Sequence, residues 1–290
     1  MYGFVKMGFV NMFSTSRALS RAAILSLCAF SLLLQPASFA AEKVNPAYAP
    51  NKEGTDLVIN GHQKEAIAKF DEAIKLAPRY DRAYANRAGA ECAMGNYQAA
   101  MKDASKAIEL NPKNKEAYVN RSWAENSLNH FEAAVRDADK ALALDPVLPV
   151  AFVNKSHALN RLGRYEDAFN TADAAIKLDS KSPAAYSNRA HALIGLKKFD
   201  KAVEDCNACL ALDPKKVSAY DNRAKAYRHL GQYQKSLEDA NKAISLNAGD
   251  SRAYYNRART LAALASSDYM RARKLGYVPD KGATMTASPK

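Results

Sequence analysis

Small and apolar residues recur along this chain with two periods, one close to 3.6 residues and one of 34. Residues 81–114 read DRAYANRAGAECAMGNYQAAMKDASKAIELNPKN. Tyr84, Ala88 and Met94 fall on one helical face there, and Ala100, Ala104, Ala107, Ile108 and Leu110 fall on another. The pattern predicts a helix over 82–94, ended by Gly95, which adopts a left-handed conformation at no steric cost. A second helix is predicted over 97–110 and is stopped by Pro112, which has no amide hydrogen to donate. Ala88, Ala100 and Ala107 are small because the paired helices approach closely at those points.

The same unit begins again as KEAYVNR at 115, PVAFVNK at 149, PAAYSNR at 183 and VSAYDNR at 217. Asn86, Asn120, Asn154, Asn188, Asn222 and Asn256 therefore stand 34 residues apart. Each helix pair has an apolar face that only the next pair can cover, which is the mark of a stacked array. The predicted fold class is all-α, a solenoid of antiparallel helix pairs. A degenerate first unit is marked by Gly54, Gly61, Ala66, Phe70, Ala73 and Pro78, with Asn51 as the expected N-cap of its first helix. A last unit starts normally at Arg252, Tyr254, Asn256, Arg257 and Ala258. Its second helix is expected to be displaced and short, over 268–275, with Arg271, Arg273 and Lys274 making it a polar cap before Gly276. The expected organisation is a leader over 1–40, a linker over 41–49, an array over 50–276 of about six repeats plus a shortened capping repeat, and a flexible tail over 277–290.

The Tyr-x-Asn-Arg-small start, the Gly-x-Tyr turn, the spaced alanines and the closing proline resemble the tetratricopeptide repeat. The resemblance covers about 47–276, summed over six units. It implies a right-handed superhelix whose first helices line a concave groove that binds peptides.

The amino terminus changes the picture of where the chain acts. Lys6, Arg17 and Arg21 precede an apolar run over 22–34, followed by Ser38-Phe39-Ala40. This reads as a cleavable secretory signal, with cleavage expected after Ala40 and the start at Met1, Met7 or Met12. The run is shorter than the roughly 20 residues a membrane-spanning helix needs. The expectation is an exported protein of the bacterial type, periplasmic or secreted, without stable membrane insertion after cleavage. The first forty residues hold three basic and no acidic residues, so the rest of the chain keeps most of the net charge of +12. That excess favours an acidic partner, while export argues against nucleic acid.

Arg87, Arg121, Arg189 and Arg223 are each followed sixteen residues later by Asp103, Asp137, Asp205 and Asp239. The fourth unit has Lys155 with Thr171, and the first reverses the charges with Glu53 and Lys69. These read as ion pairs within each hairpin, worth about 0–1 kcal/mol each if exposed. The asparagines allow two readings. One is a ladder of amides that bonds the backbone of an extended peptide, similar to the ladder in the repeats of O-GlcNAc transferase. The other is a set of bridges between neighbouring repeats. A carboxylate clamp like that of cochaperone repeats is not expected, because Asn51, Thr55, Glu116 and Asn120 stand at the matching positions and only Asn86 fits.

Three residues beyond the asparagines, on the same face, stand Gly89, Trp123, His157, His191, Lys225 and Arg259. Trp123, the single tryptophan, reads as an interface anchor or as packing against the next repeat. Lys225 and Arg259, with Arg161 and Arg228, make the second half of the groove basic. His157 and His191 have no Cys, Asp or Glu beside them to complete a metal site. Cys206 and Cys209 occupy small core slots held elsewhere by alanine, and Cys92 is a lone thiol. No phosphate loop, nucleophile arrangement or metal cluster points to an enzyme, and no cofactor is expected. The sequence thus predicts an interaction scaffold whose peptide-binding residues are Asn86, Asn120, Asn154, Asn188, Asn222, Asn256, Trp123, Lys225 and Arg259. The alternative is a structural module that self-associates or binds anionic envelope polymer.

Overall fold

A computed structural model describes residues 45–278, and the expected leader, the start of the linker and the end of the tail lie outside the described residues. Thirteen α-helices and no strands occur among the described residues. They are α1 (Tyr48–Ile59), α2 (Gln63–Leu76), α3 (Asp81–Ala93), α4 (Tyr97–Leu110), α5 (Lys115–Ser127), α6 (Phe131–Leu144) and α7 (Pro149–Arg161). There follow α8 (Tyr165–Leu178), α9 (Pro183–Gly195), α10 (Phe199–Leu212), α11 (Val217–His229), α12 (Tyr233–Leu246) and α13 (Ser251–Lys274). Every helix packs on the next, and the odd-numbered helices also touch one another, so that they form the inner layer of a solenoid.

Alanine sets the spacing of this core. Ala88, Ala100, Ala104 and Ala107 are fully buried, as are their counterparts Ala134, Ala138, Ala141, Ala168, Ala172 and Ala175. The first hairpin solves the same problem differently. Phe70 stands where later units have Ala104 or Ala138, and Gly54 stands opposite it where they have Ala88 or Ser122. A Cβ on Gly54 would lie 2.5 Å from the Phe70 ring, so the larger residue requires the smaller one.

The inter-helix turns reuse one backbone conformation. Gly61, Gly95, Gly163 and Gly231 all have positive φ, and Asn129 and Lys197 hold the same turn position at φ 64° and 59°. A left-handed conformation costs a residue with a Cβ about 1–2 kcal/mol. Part of that is returned by the extra freedom glycine loses on folding. Lys197→Gly is therefore expected to stabilise the protein by about 0.5–1 kcal/mol, read as a higher urea midpoint at unchanged slope. An unchanged or lower midpoint would show that the Lys197 side chain supports the turn.

The Arg–Asp pairs form as the offset of sixteen predicts, and they do more than close one hairpin. Arg87 donates to both carboxylate oxygens of Asp103, at 2.6 and 2.7 Å, and its Nη1 also reaches Asp71 in the preceding hairpin. Arg189 does the same with Asp205 and Asp173. Arg121 and Arg223 grip Asp137 and Asp239 forward, and reach back to Ser105 and Asn207. Lys155 pairs backward with Asp139, and Lys69 pairs with Glu53. The four forward aspartates are only 8–10 % exposed, which distinguishes them from surface pairs.

Four expectations need correction. Tyr48 and Ala49 belong to α1 and not to a linker, and Asn51 is buried inside that helix, whose N-cap is Ala47. Met94, expected on the inner face, is the C-cap of α3 and 48 % exposed. The last unit has no separate short helix. Ala265 replaces the turn glycine there, no glycine or proline interrupts 251–275, and α13 runs unbroken for 24 residues.

Candidate functional site

The asparagine ladder is assembled from one side-chain atom repeated along the stack. The Nδ2 of Asn120 donates to the Ala85 carbonyl at 2.8 Å, that of Asn154 to Val119 at 3.1 Å and that of Asn188 to Val153 at 3.0 Å. Asn222 donates to Ser187 at 3.0 Å, and Asn256 reaches Asp221 at 3.4 Å. Asn86 differs, because its donor meets the side chains of Asn51 and Thr55. A carbonyl partner can only accept, which fixes the orientation of the amides from Asn120 to Asn256. The asparagines thus bridge neighbouring repeats, as one of their two readings anticipated. Only the Nδ2 atoms of Asn120, Asn154, Asn188, Asn222 and Asn256 are used in this way, and among the described residues no donor meets their Oδ1 atoms.

A second row of bridges was not anticipated. Cys92, Asn126 and Asn160 donate to the main-chain carbonyls of Asn120, Asn154 and Asn188 at 3.5, 2.9 and 2.8 Å. The signal was available, since Asn126 and Asn160 also stand 34 apart. Each ladder asparagine from Asn120 to Asn188 is consequently tied to the repeat before it twice, by its side-chain amide and by its main-chain carbonyl.

Curvature of the inner layer brings α5, α7, α9, α11 and α13 around a cavity of about 730 Å³. Trp123, His157, Arg161, His191, Lys216 and Arg252 line it together with Asn154, Asn188 and Asn222, and no acidic residue is among its lining residues. Trp123 is 39 % exposed into this space, so it is not sealed against the next repeat. Asn86 lies apart, in a smaller hollow of about 420 Å³ with Tyr48, Asn51 and Thr55. Asn120, Asn256, Lys225 and Arg259 line neither space, although Lys225 is close enough to His191 to act on its charge.

The electrostatics of the large cavity follow from crowded cations. Burial, then Lys225, His157, Arg161 and Arg252, push the His191 imidazole down to about 4. Burial, with Arg161 and Arg252, lowers His157 as well. Burial and Arg228 lower Lys225, and burial with Arg259 lowers Arg228. Arg161 lies over the Phe131 ring at 4.5 Å, while Arg252 is balanced by Asp250 at 3.0 Å and by Asp221 at 3.8 Å. No carboxylate among the described residues pairs with Arg161 or Lys216, so an anion placed in the cavity would meet uncompensated positive charge.

The three cysteines among the described residues are buried free thiols. Cys206 and Cys209 are fully buried, Cys209 donates to the Pro183 carbonyl at 3.1 Å, and burial raises both thiols. Burial also pushes Cys92 up to about 12. Among the described residues no group of three or more His, Cys, Asp or Glu could hold a metal ion.

Models of the tetratricopeptide repeat match residues 51–114, 90–149, 150–182, 183–216 and 217–250, which together span the array from α1 to α12. No curated protein matches the chain in sequence. Among solved structures, the chain is similar to the APC/C hetero-tetramer Cut9-Hcn1, with a TM-score of 0.67 and 18% identity over 83% of this chain and 46% of that one. It thus spans about half of that structure's length. PilW, a type IV pilus biogenesis factor, matches with a TM-score of 0.61 and 17% identity over 72% of this chain and 97% of its own. A tetratricopeptide repeat protein of Parabacteroides merdae matches with a TM-score of 0.57 and 20% identity over 80% and 93%. At these identities the likeness is one of fold.

Proposed function

Because the chain belongs to the tetratricopeptide repeat family, we propose that it is an exported, non-enzymatic scaffold that holds an acidic peptide segment of a partner protein in its concave face. The observation that carries this reading is the cavity in which Trp123, Arg161, Lys216 and Arg252 converge without an acidic residue among the lining. A tryptophan half open to solvent supplies a large rigid surface for an apolar side chain of the ligand. The cations meet its carboxylates, and the open Oδ1 atoms of Asn154, Asn188 and Asn222 accept its backbone N–H groups. Lys225 and Arg259 extend the basic field toward the end of the array, where they steer an acidic segment and do not touch it. Export rests on the signal-like first forty residues, and it argues against nucleic acid as the natural anion.

An Asn→Ala change would remove an inter-repeat bond together with a groove amide, so the test falls on Trp123 and Arg161. Trp123 is the chain's single tryptophan and its fluorescence reports directly on the cavity. Titration with extended peptides rich in Asp and Glu is expected to change that emission, with basic peptides of the same length inert. Binding measured by calorimetry should weaken about 30-fold in Trp123→Ala, the loss of an interface anchor worth about 2 kcal/mol. Arg161→Glu should weaken acidic peptides and leave the circular dichroism spectrum intact. Equal affinity of both variants and wild type, or a preference for basic peptides, would overturn the assignment of the cavity.

A further inference from the structure

Every hairpin from α1 to α12 covers the outward face of its first helix with its own second helix. Among the described residues nothing covers that face of α13. Leu261 is 50 % exposed, where its counterparts Leu159 and Leu193 are 1 % and 2 % exposed. Tyr254 is 43 % exposed, and Ala258 is exposed where Ala88, Ala190 and Ala224 are fully buried. Arg257 stands at the position of Arg87 and Arg189, yet the residue sixteen further on is Arg273. It therefore lacks the forward carboxylate of its counterparts, and its Nη1 reaches back only to Asn241 at 3.1 Å.

What this face lacks is specific: an antiparallel helix, small enough for close approach, with a carboxylate facing Arg257. α13 itself meets that description. Asp268 is the single acidic residue of the helix, is exposed, and makes no ion pair among the described residues. At 100° per residue, Tyr254, Arg257, Ala258, Leu261, Ala265 and Asp268 share one side of it. Two such helices laid antiparallel, crossing between Leu261 and Leu264, would bring Arg257 of one opposite Asp268 of the other, twice by symmetry. We propose that the open face of α13 is a homodimer interface, in which the α13 of a second copy takes the place of the missing second helix. Two arrays are then joined at their carboxyl-terminal ends, and both concave faces are left open.

The test is the mass of the purified full chain by sedimentation and by light scattering. One helix face is a small contact, so the measurement should reach about 100 μM. Wild type is expected to approach twice the 31.7 kDa of one chain. Asp268→Arg and Leu261→Asp should each give the monomer with an unchanged circular dichroism spectrum. Restoration of the dimer in Arg257→Asp plus Asp268→Arg separates this pairing from any other. A wild-type monomer throughout that range would overturn the proposal. So would a dimer indifferent to Asp268→Arg, or a double variant that stays monomeric.

Discussion

Arg189→Ala is expected to lower the unfolding free energy by about 3 kcal/mol, at the lower edge of what breaking a buried ion pair costs. The reason lies in what the substitution leaves behind. Asp205 is 9 % exposed and receives two donors from the guanidinium, at 2.8 and 2.7 Å. Asp173 takes a third donor at 2.6 Å and keeps Lys177 at 2.8 Å, so it suffers less. Removing the arginine strands the Asp205 carboxylate in a place that water reaches poorly. The expected observation is a urea midpoint well below wild type, partly recovered in Arg189→Ala plus Asp205→Ala, where the stranded charge is gone. If the double variant is as unstable as the sum of its two single variants, the pair holds nothing together and the exposed-pair estimate is the correct one.

Acidification is expected to weaken the fold through His191, separately from its effect on the carboxylates. The folded chain holds this imidazole at about 4, against an ordinary value of 6.5, because burial and Lys225 oppose its charge. A base whose value is depressed by folding binds more protons when unfolded, so stability falls as pH drops. This contribution is intact above 6.5 and is lost progressively down to about 4, for a total of roughly 3 kcal/mol. His191→Gln should therefore show a shallower loss of stability than wild type between pH 7 and pH 4, read from urea midpoints along the series. Parallel curves for the two proteins would remove His191 as the cause. An anionic ligand reverses the sign, because a carboxylate beside His157 and His191 favours the protonated rings. Acidic peptides are thus expected to bind more tightly at pH 6 than at pH 8.

The period of 34 makes the helices legible in the sequence, with boundaries in α3 and α4 within a residue of expectation. The Arg–Asp pairs were legible because both partners change together, as in Glu53 with Lys69. The backward contacts of the same arginines were not, since Asp71, Ser105, Asp139, Asp173, Asn207 and Asn241 vary in charge. The unbroken α13 reflects a local decision, one alanine where a turn glycine is needed, that a periodic template reads as a displaced second helix. The ladder was visible as a position but its partners were not. A carbonyl acceptor belongs to the backbone and leaves no mark on residue identity. The cavity lies further from what sequence can show, because Arg252 reaches the surroundings of His157 only through the accumulated rotation of the repeats between them.

The ladder also fixes a unit of measure. Neighbouring packed helices lie about 8–10 Å apart, so consecutive amide oxygens are rungs at about that interval. A β-strand shows the same side again every two residues, after about 7 Å, and drifts out of step with such rungs. A polyproline II segment turns once in three residues and advances about 9 Å in doing so. It presents an equivalent backbone group to each rung in succession. A tract gripped by Asn154, Asn188 and Asn222 would be counted in threes, with its specificity written in every third residue and the two between them free to vary.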